Sequence, residues 1–194
     1  MPNLITLTGP SGSGKSTALK YLLSFRTREF RPIRIPKYTT RPSRRDDHGE
    51  AISVRAIPKG CDLVYEQYGV RYGLKLATLF DHLAEGDSPI VILNDVRTVE
   101  DVRIALGPIV RSVFVFRKGP SLETQRRLAQ ARDAKGEEDV NRRFDKSKAI
   151  YRIYIENIQL FDHVIINSGI REGLKAQVRQ IIRGLGTSQM WPLR

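Results

Sequence analysis

The run Gly9-Pro10-Ser11-Gly12-Ser13-Gly14-Lys15-Ser16-Thr17 satisfies the spacing G-x-x-x-x-G-K-[ST], and that spacing is built to hold phosphate. Glycines let the backbone take positive φ and come close to an anion. Successive N–H groups then face one concavity at the start of a helix, whose dipole favours negative charge. Lys15 is expected to reach the β- and γ-phosphates of a nucleoside triphosphate as a point charge, and the Ser16 hydroxyl to ligate Mg²⁺. The residues expected to line the triphosphate are therefore Gly9, Ser11, Gly12, Ser13, Gly14, Lys15, Ser16 and Thr17.

A second group of anion donors lies in Lys37 to Glu50, a polar run rich in turn-formers that reads as a loop and carries Arg41, Arg44 and Arg45. Guanidinium groups there are suited to bidentate contact with phosphate oxygens. The chain carries a net charge of +12, and 18 of its 33 Lys and Arg fall in two segments, eight in residues 26–45 and ten in 117–148. Such clusters suit either a nucleic-acid backbone or a phosphorylated small acceptor. A nucleic-acid face would need aromatic stacking platforms. Aromatic residues make up only 8% of the chain, and the single Trp191 lies in the tail. The small phosphorylated acceptor is the better match.

The elements that must position these groups alternate between strand and helix. Residues 3–8 read as a buried strand leading into the loop, and 15–24 as the helix leaving it. Ile33-Arg34-Ile35 alternates like a strand. Ile52, Val54 and Ile57, then Leu63, Tyr65 and Tyr68, suggest short antiparallel strands in a small insertion, closed by a turn over Tyr68 to Gly73. Leu76 to Leu83 reads as a helix ended by Gly86. Pro89 to Asp95 is an apolar run ending in polar groups, the pattern of a buried parallel strand whose C-terminal end faces a site. A helix over Val99 to Leu106, a strand over Ser112 to Phe116 and a helix from Ser121 to about Ala131 follow. Residues 140–160 read as an amphipathic helix, Phe161 to Asn167 as the last strand and 170–183 as the closing helix. Gly184 to Arg194 carries no signal. The alternation predicts an α/β fold with a mostly parallel sheet.

A chain of 194 residues with 40% hydrophobic and 28% charged residues is sized for one ordinary globular domain. Its one cysteine, Cys61, excludes an internal disulfide and a cysteine-based metal site. Neither a signal peptide nor a run of eighteen apolar residues is present, so no membrane association and a reducing cytoplasm are expected. His48 and His82 read as surface residues, His163 as a core histidine, and Glu137, Glu138 and Asp139 as the solvated start of a helix.

The order of these landmarks resembles the guanylate kinase family of nucleoside-monophosphate kinases. The loop GPSGSGKST is followed by Tyr38-Thr39-Thr40-Arg41 with Arg44, by Tyr72-Gly73, and by a strand ending at Asp95. Then come Glu123-Thr124-Gln125-Arg126-Arg127-Leu128, Glu137 to Arg143 and Val164-Ile165-Ile166-Asn167. The resemblance implies a three-layer P-loop NTPase fold with a parallel core sheet, a small acceptor-binding insertion and a helical lid. It implies a core over 1–34, 87–121 and 147–185, an insertion over 35–86, a lid over 122–146 and a tail over 186–194. It further implies ATP and Mg²⁺, with Arg41, Arg44, Tyr72 and Asp95 on the acceptor. Lys15, Arg132 and Arg143 would act on the transferring group, and Arg127 is a rival to Arg132.

Several base-reading positions differ from the family's usual residues. Lys37 stands where a small hydroxyl residue is usual, Leu74 where a hydroxyl follows Tyr-Gly, and Leu63 near a guanine-reading carboxylate, for which Glu66 is a possible substitute. The chain also resembles the ribose 1,5-bisphosphate phosphokinases of the same family, through the apolar residue after Tyr72-Gly73 and through Asn94 and Arg97. Three readings follow from the resemblance: a nucleoside-monophosphate kinase, a kinase of a ribose bisphosphate, or a non-catalytic binding module. The intact Lys15-Ser16 speaks against the last.

Overall fold

The computed structural model describes residues 2–10, 12–43, 49–67, 69–93, 95–118, 151–152 and 154–187. Five strands form one parallel sheet: β1 (Leu4–Thr8), β2 (Pro32–Arg34), β7 (Ser88–Ile92), β8 (Val110–Arg117) and β9 (His163–Asn167), in the order β2-β7-β1-β8-β9. β1 and β7 are mostly apolar and buried at every position, as a strand covered on both faces must be. Their side chains divide by parity. Ile5, Leu7, Ile90 and Ile92 join a core cluster with Ala18, Leu19 and Leu22 of α1 (Lys15–Ser24) and Leu174, Val178 and Ile181 of α4 (Arg171–Thr187). Leu4 and Val91 face the other way, toward Leu79 of α2 (Leu76–Ala84) and Val99, Val102 and Leu106 of α3 (Val96–Leu106). The result is three layers, helices on both faces of a parallel sheet, the P-loop NTPase architecture.

A second sheet, β4-β3-β6-β5, is made of β3 (Lys37–Thr39), β4 (Ala51–Ser53), β5 (Leu63–Gln67) and β6 (Val70–Leu74). Four local expectations are corrected here. Lys37 to Thr39 is a strand, because it pairs with β4 on one side and β6 on the other. Residues 70–73 continue as the strand β6 and only the bend at Gly69, with φ 73°, is a turn. β4 runs parallel to β3, whereas β5 and β6 are antiparallel as expected. The last helix continues to Thr187, past Gly184, because Ile182 and Leu185 pack against the core cluster and extend its apolar stripe. Among the described residues no helix is long and apolar enough to cross a membrane.

Parity also sorts the second sheet. Lys37, Thr39, Leu63, Tyr65, Gln67, Tyr72 and Leu74 share the face turned toward the core sheet, with Leu74 inside the second core cluster. Glu66 pairs with Arg71 on the opposite, exposed face. Glu66 therefore does not take the place of the missing carboxylate.

Candidate active site

The glycine-rich loop joins the C-terminal end of β1 to α1. Gly14 caps the helix at φ 104° and ψ 16°, in the left-handed region, and no side chain occupies the cap. The first helical hydrogen bond runs from Ala18 N–H to the Gly14 carbonyl at 2.8 Å, so the amides of Lys15, Ser16 and Thr17 have no partner within the helix. No acidic residue sits in the first turn. Gly9 has φ 150°, and a Cβ there would run into the Val115 carbonyl oxygen of β8. Lys15 lies across the loop, its Nζ donating to the Gly9 and Pro10 carbonyls at 2.8 Å each. The buried hydroxyls of Ser13 and Thr8 have no hydrogen-bond partner among the described residues. Helix-start amides that no carbonyl of the helix takes up, an ammonium, and hydroxyls without a partner among the described residues surround a glycine cradle, and together they fit a polyphosphate.

Two residues to which the sequence reading gave no role brace this loop. Asn167, the last residue of β9, donates its Nδ2 to the Ser13 carbonyl at 2.8 Å, and its Oδ1 accepts from Gly169 N–H at 3.0 Å. A Cβ on Gly14 would collide with that same Nδ2. Arg117, the last residue of β8, donates to the Gly12 carbonyl at 3.1 Å. Both are polar residues ending an apolar parallel strand, the signal by which the sequence marked Asp95, although β7 itself ends at Ile92.

Asp95 itself is the N-cap of α3. Its Oδ2 accepts from Thr98 N–H at 2.8 Å and from Thr98 Oγ1 at 2.7 Å. On the acceptor side, Tyr72 stacks on Tyr65 with centroids 5.1 Å apart and planes at 20°. Lys37 is buried, and its Nζ donates to the Ile92 carbonyl at 2.8 Å and to Tyr65 Oη at 3.4 Å while lying 4.8 Å from the Tyr72 ring centroid. Ile92 is the register partner of Leu7, two residues before Gly9. A continuous path of contacts thus joins the loop end of β1 to Tyr72 through Ile92 and Lys37. Arg41 follows β3, its N–H on Thr39 Oγ1 at 3.2 Å and its guanidinium on the Pro42 carbonyl at 3.0 Å. Ser11, Arg44, Arg127, Arg132 and Arg143 lie outside the described residues.

Away from this edge, His82, Glu85 and Asp87 converge beyond the end of α2. Arg31 already occupies the group, its guanidinium 2.9 Å from Asp87 Oδ1 and 2.9 Å from the Glu85 carbonyl. This cluster pins β2 to β7 and is a structural joint.

Comparison with known proteins matches the chain over residues 1–184 to the family model described as guanylate kinase. A guanylate kinase of Prochlorococcus marinus subsp. pastoris is 30% identical over 189 residues, covering 94% of this chain and 98% of that protein. One from Dechloromonas aromatica is 28% identical over 195 residues, covering 96% and 91%. The crystal structure of guanylate kinase from Anaplasma phagocytophilum superposes with a TM-score of 0.66 at 20% identity, over 98% of this chain and 87% of that one. At that identity the structural match speaks for the fold.

Proposed function

The chain belongs to the guanylate kinase family of P-loop kinases, and from that premise we propose that it transfers the γ-phosphate of ATP to the phosphate of a small acceptor, a nucleoside monophosphate in the first instance. The observation that carries this reading is the loop itself: the Lys15 ammonium and the first amides of α1, which no carbonyl of the helix takes up, at the C-terminal edge of a parallel sheet, one strand away from a second polar face. GMP heads the acceptors, because the relatives named above are guanylate kinases. A ribose bisphosphate is the second reading, favoured by Lys37 and Leu74 on the acceptor face.

In this reading the amides of α1 and Lys15 hold the β- and γ-phosphates, and Lys15 exchanges its two loop carbonyls for phosphate oxygens. Ser16 is the residue that would ligate Mg²⁺, whose charge offsets that of the transferring phosphoryl group. An oxygen of the acceptor phosphate attacks the γ-phosphorus. The new P–O bond forms as the bond to the β–γ bridging oxygen breaks, and ADP leaves with that electron pair. The attacking oxygen is already anionic, so no general base is required. Arg41, Arg44 and Tyr72 hold the acceptor phosphate, Asp95 borders it from the head of α3, and Arg132 and Arg143 neutralise charge as the lid closes. The same reading divides the chain into a core (1–34, 87–121, 147–185), an acceptor insertion (35–86), a lid (122–146) and a tail (186–194). A coupled assay of ADP release with ATP and Mg²⁺ tests it. Release that depends on the acceptor and disappears in Lys15→Ala supports the proposal, and ATP binding without acceptor-dependent release rejects it.

A further inference from the structure

Lys37 has no part in the phosphotransfer chemistry just outlined, and its position is costly. Its relative exposure is 6%, and an ammonium taken out of water is destabilising unless hydrogen-bonded. The site supplies partners of a particular kind: the Ile92 carbonyl at 2.8 Å, the Tyr65 hydroxyl at 3.4 Å and the face of Tyr72 at 4.8 Å. An ammonium donates hydrogen bonds and never accepts them. The face it occupies carries Thr39, Leu63, Tyr65, Gln67, Tyr72 and Leu74 and, among the described residues, no carboxylate, since Glu66 points the other way opposite Arg71. Lys37 also lies four residues before Arg41, on the order of 10 Å back along an extended segment. A ligand with its phosphate at Arg41 therefore brings a different part of itself to Lys37. The 3.4 Å contact to Tyr65 is long for a charge-assisted bond, and it is the one that an incoming oxygen would share or replace.

We infer that Lys37 determines acceptor specificity: its ammonium selects acceptors that bring a hydrogen-bond-accepting oxygen to Lys37 Nζ, where β3 meets the end of β7. A keto oxygen of a base and an oxygen of a second phosphate both meet that requirement. An amino group does not, because it offers N–H to N–H. With no carboxylate among the described residues of that face to accept from the exocyclic amino group of guanine, hypoxanthine serves as well as guanine. The inference rests on the phosphotransfer reading and names the acceptor class for that same site.

The test is kcat/KM with ATP for GMP, IMP, AMP and ribose 1,5-bisphosphate, in the wild type and in Lys37→Met and Lys37→Gln. The wild type is expected to prefer the oxygen-bearing acceptors over AMP by about ten- to a hundredfold, the range of a hydrogen bond to a charged group, and to treat IMP and GMP alike. The leading acceptor tells a keto oxygen from a second phosphate. In Lys37→Met the preference collapses with the KM for ATP unchanged, and in Lys37→Gln, which keeps a neutral donor, part of it remains. An unchanged ratio in both variants overturns the inference, as does a wild type that uses AMP as readily as the others. Should Lys37→Met fail to fold, the wild-type ranking and Lys37→Gln decide. Turnover without discrimination removes the role of Lys37 alone. No release with any acceptor removes the phosphotransfer reading and this inference with it.

Discussion

Replacing Asn167 tests how the phosphate loop is held. Its side chain makes two hydrogen bonds, to the Ser13 carbonyl at 2.8 Å and from Gly169 N–H at 3.0 Å. The first is part-buried. The second is exposed, where water replaces it at little loss. At about 0.5–1.5 kcal/mol for a typical bond, Asn167→Ala is expected to lose about 1–2 kcal/mol of stability. A chain of this size shifts its melting temperature by about 2–4 °C per kcal/mol, so melting should fall by roughly 2–8 °C. The bond also fixes the carbonyl of the residue that precedes Gly14, the cap of α1. If ATP must then hold the loop in place itself, about 1 kcal/mol is drawn from its binding, and the KM for ATP rises about fivefold while that for the acceptor does not move. Asn167→Asp keeps the shape but turns the donor into a carboxylate facing the Ser13 carbonyl, beside the loop. Its effect on ATP should exceed that of the alanine variant, at about ten- to a hundredfold. Thermal melting and steady-state kinetics at saturating acceptor read both effects. An alanine variant with wild-type melting and wild-type KM for ATP would refute the reasoning.

Lys15→Ala should leave melting near that of the wild type, because its ammonium is seen to bond loop carbonyls, yet lower turnover by about a hundred- to a thousandfold. Arg41→Ala should raise the acceptor KM by about ten- to a hundredfold with the KM for ATP unchanged; an unchanged acceptor KM would remove Arg41 from the phosphate grip. The His163 imidazole is held below its ordinary value of 6.5, first by burial and then by Arg111, against an opposing pull from Asp162. The unfolded chain therefore takes up this proton before the folded one. Stability should be fully present above about pH 6.5 and decline as pH falls through the lower folded value, and His163→Gln should flatten that part of the curve in urea titrations.

The core was legible because its signals are local. Strands such as Ile90-Val91-Ile92 are apolar at every position, and a parallel strand covered on both faces needs that pattern. The loop and the helix it starts were legible for the same reason, since glycine spacing and the following apolar period lie within fifteen residues. The second sheet was read less well. Lys37-Tyr38-Thr39 is polar and sits among turn-formers, and becomes a strand only through β4 and β6 on either side of it. Tyr72 was read as lying in a turn, whereas its strand pairs with Tyr65 and Thr39. Lys37 was seen as an unusual residue at a base-reading position. That it is buried against Ile92, Tyr65 and Tyr72 depends on contacts 28 to 55 residues away, which no local pattern encodes. Asn167, quoted only as the end of a landmark strand, and Arg117 were given no role although each ends an apolar strand. Asp95 was singled out by that same feature, and its carboxylate caps α3 in this structure.

The central claim is transfer of a phosphoryl group to a phosphate. Phosphorus NMR of the protein with ATP, Mg²⁺ and a preferred acceptor measures it most directly. The account predicts that the γ-phosphate signal is lost as ADP signals grow together with a new phosphoanhydride on the acceptor. Growth of inorganic phosphate in place of that anhydride would contradict it, since the γ-phosphate would then have gone to water.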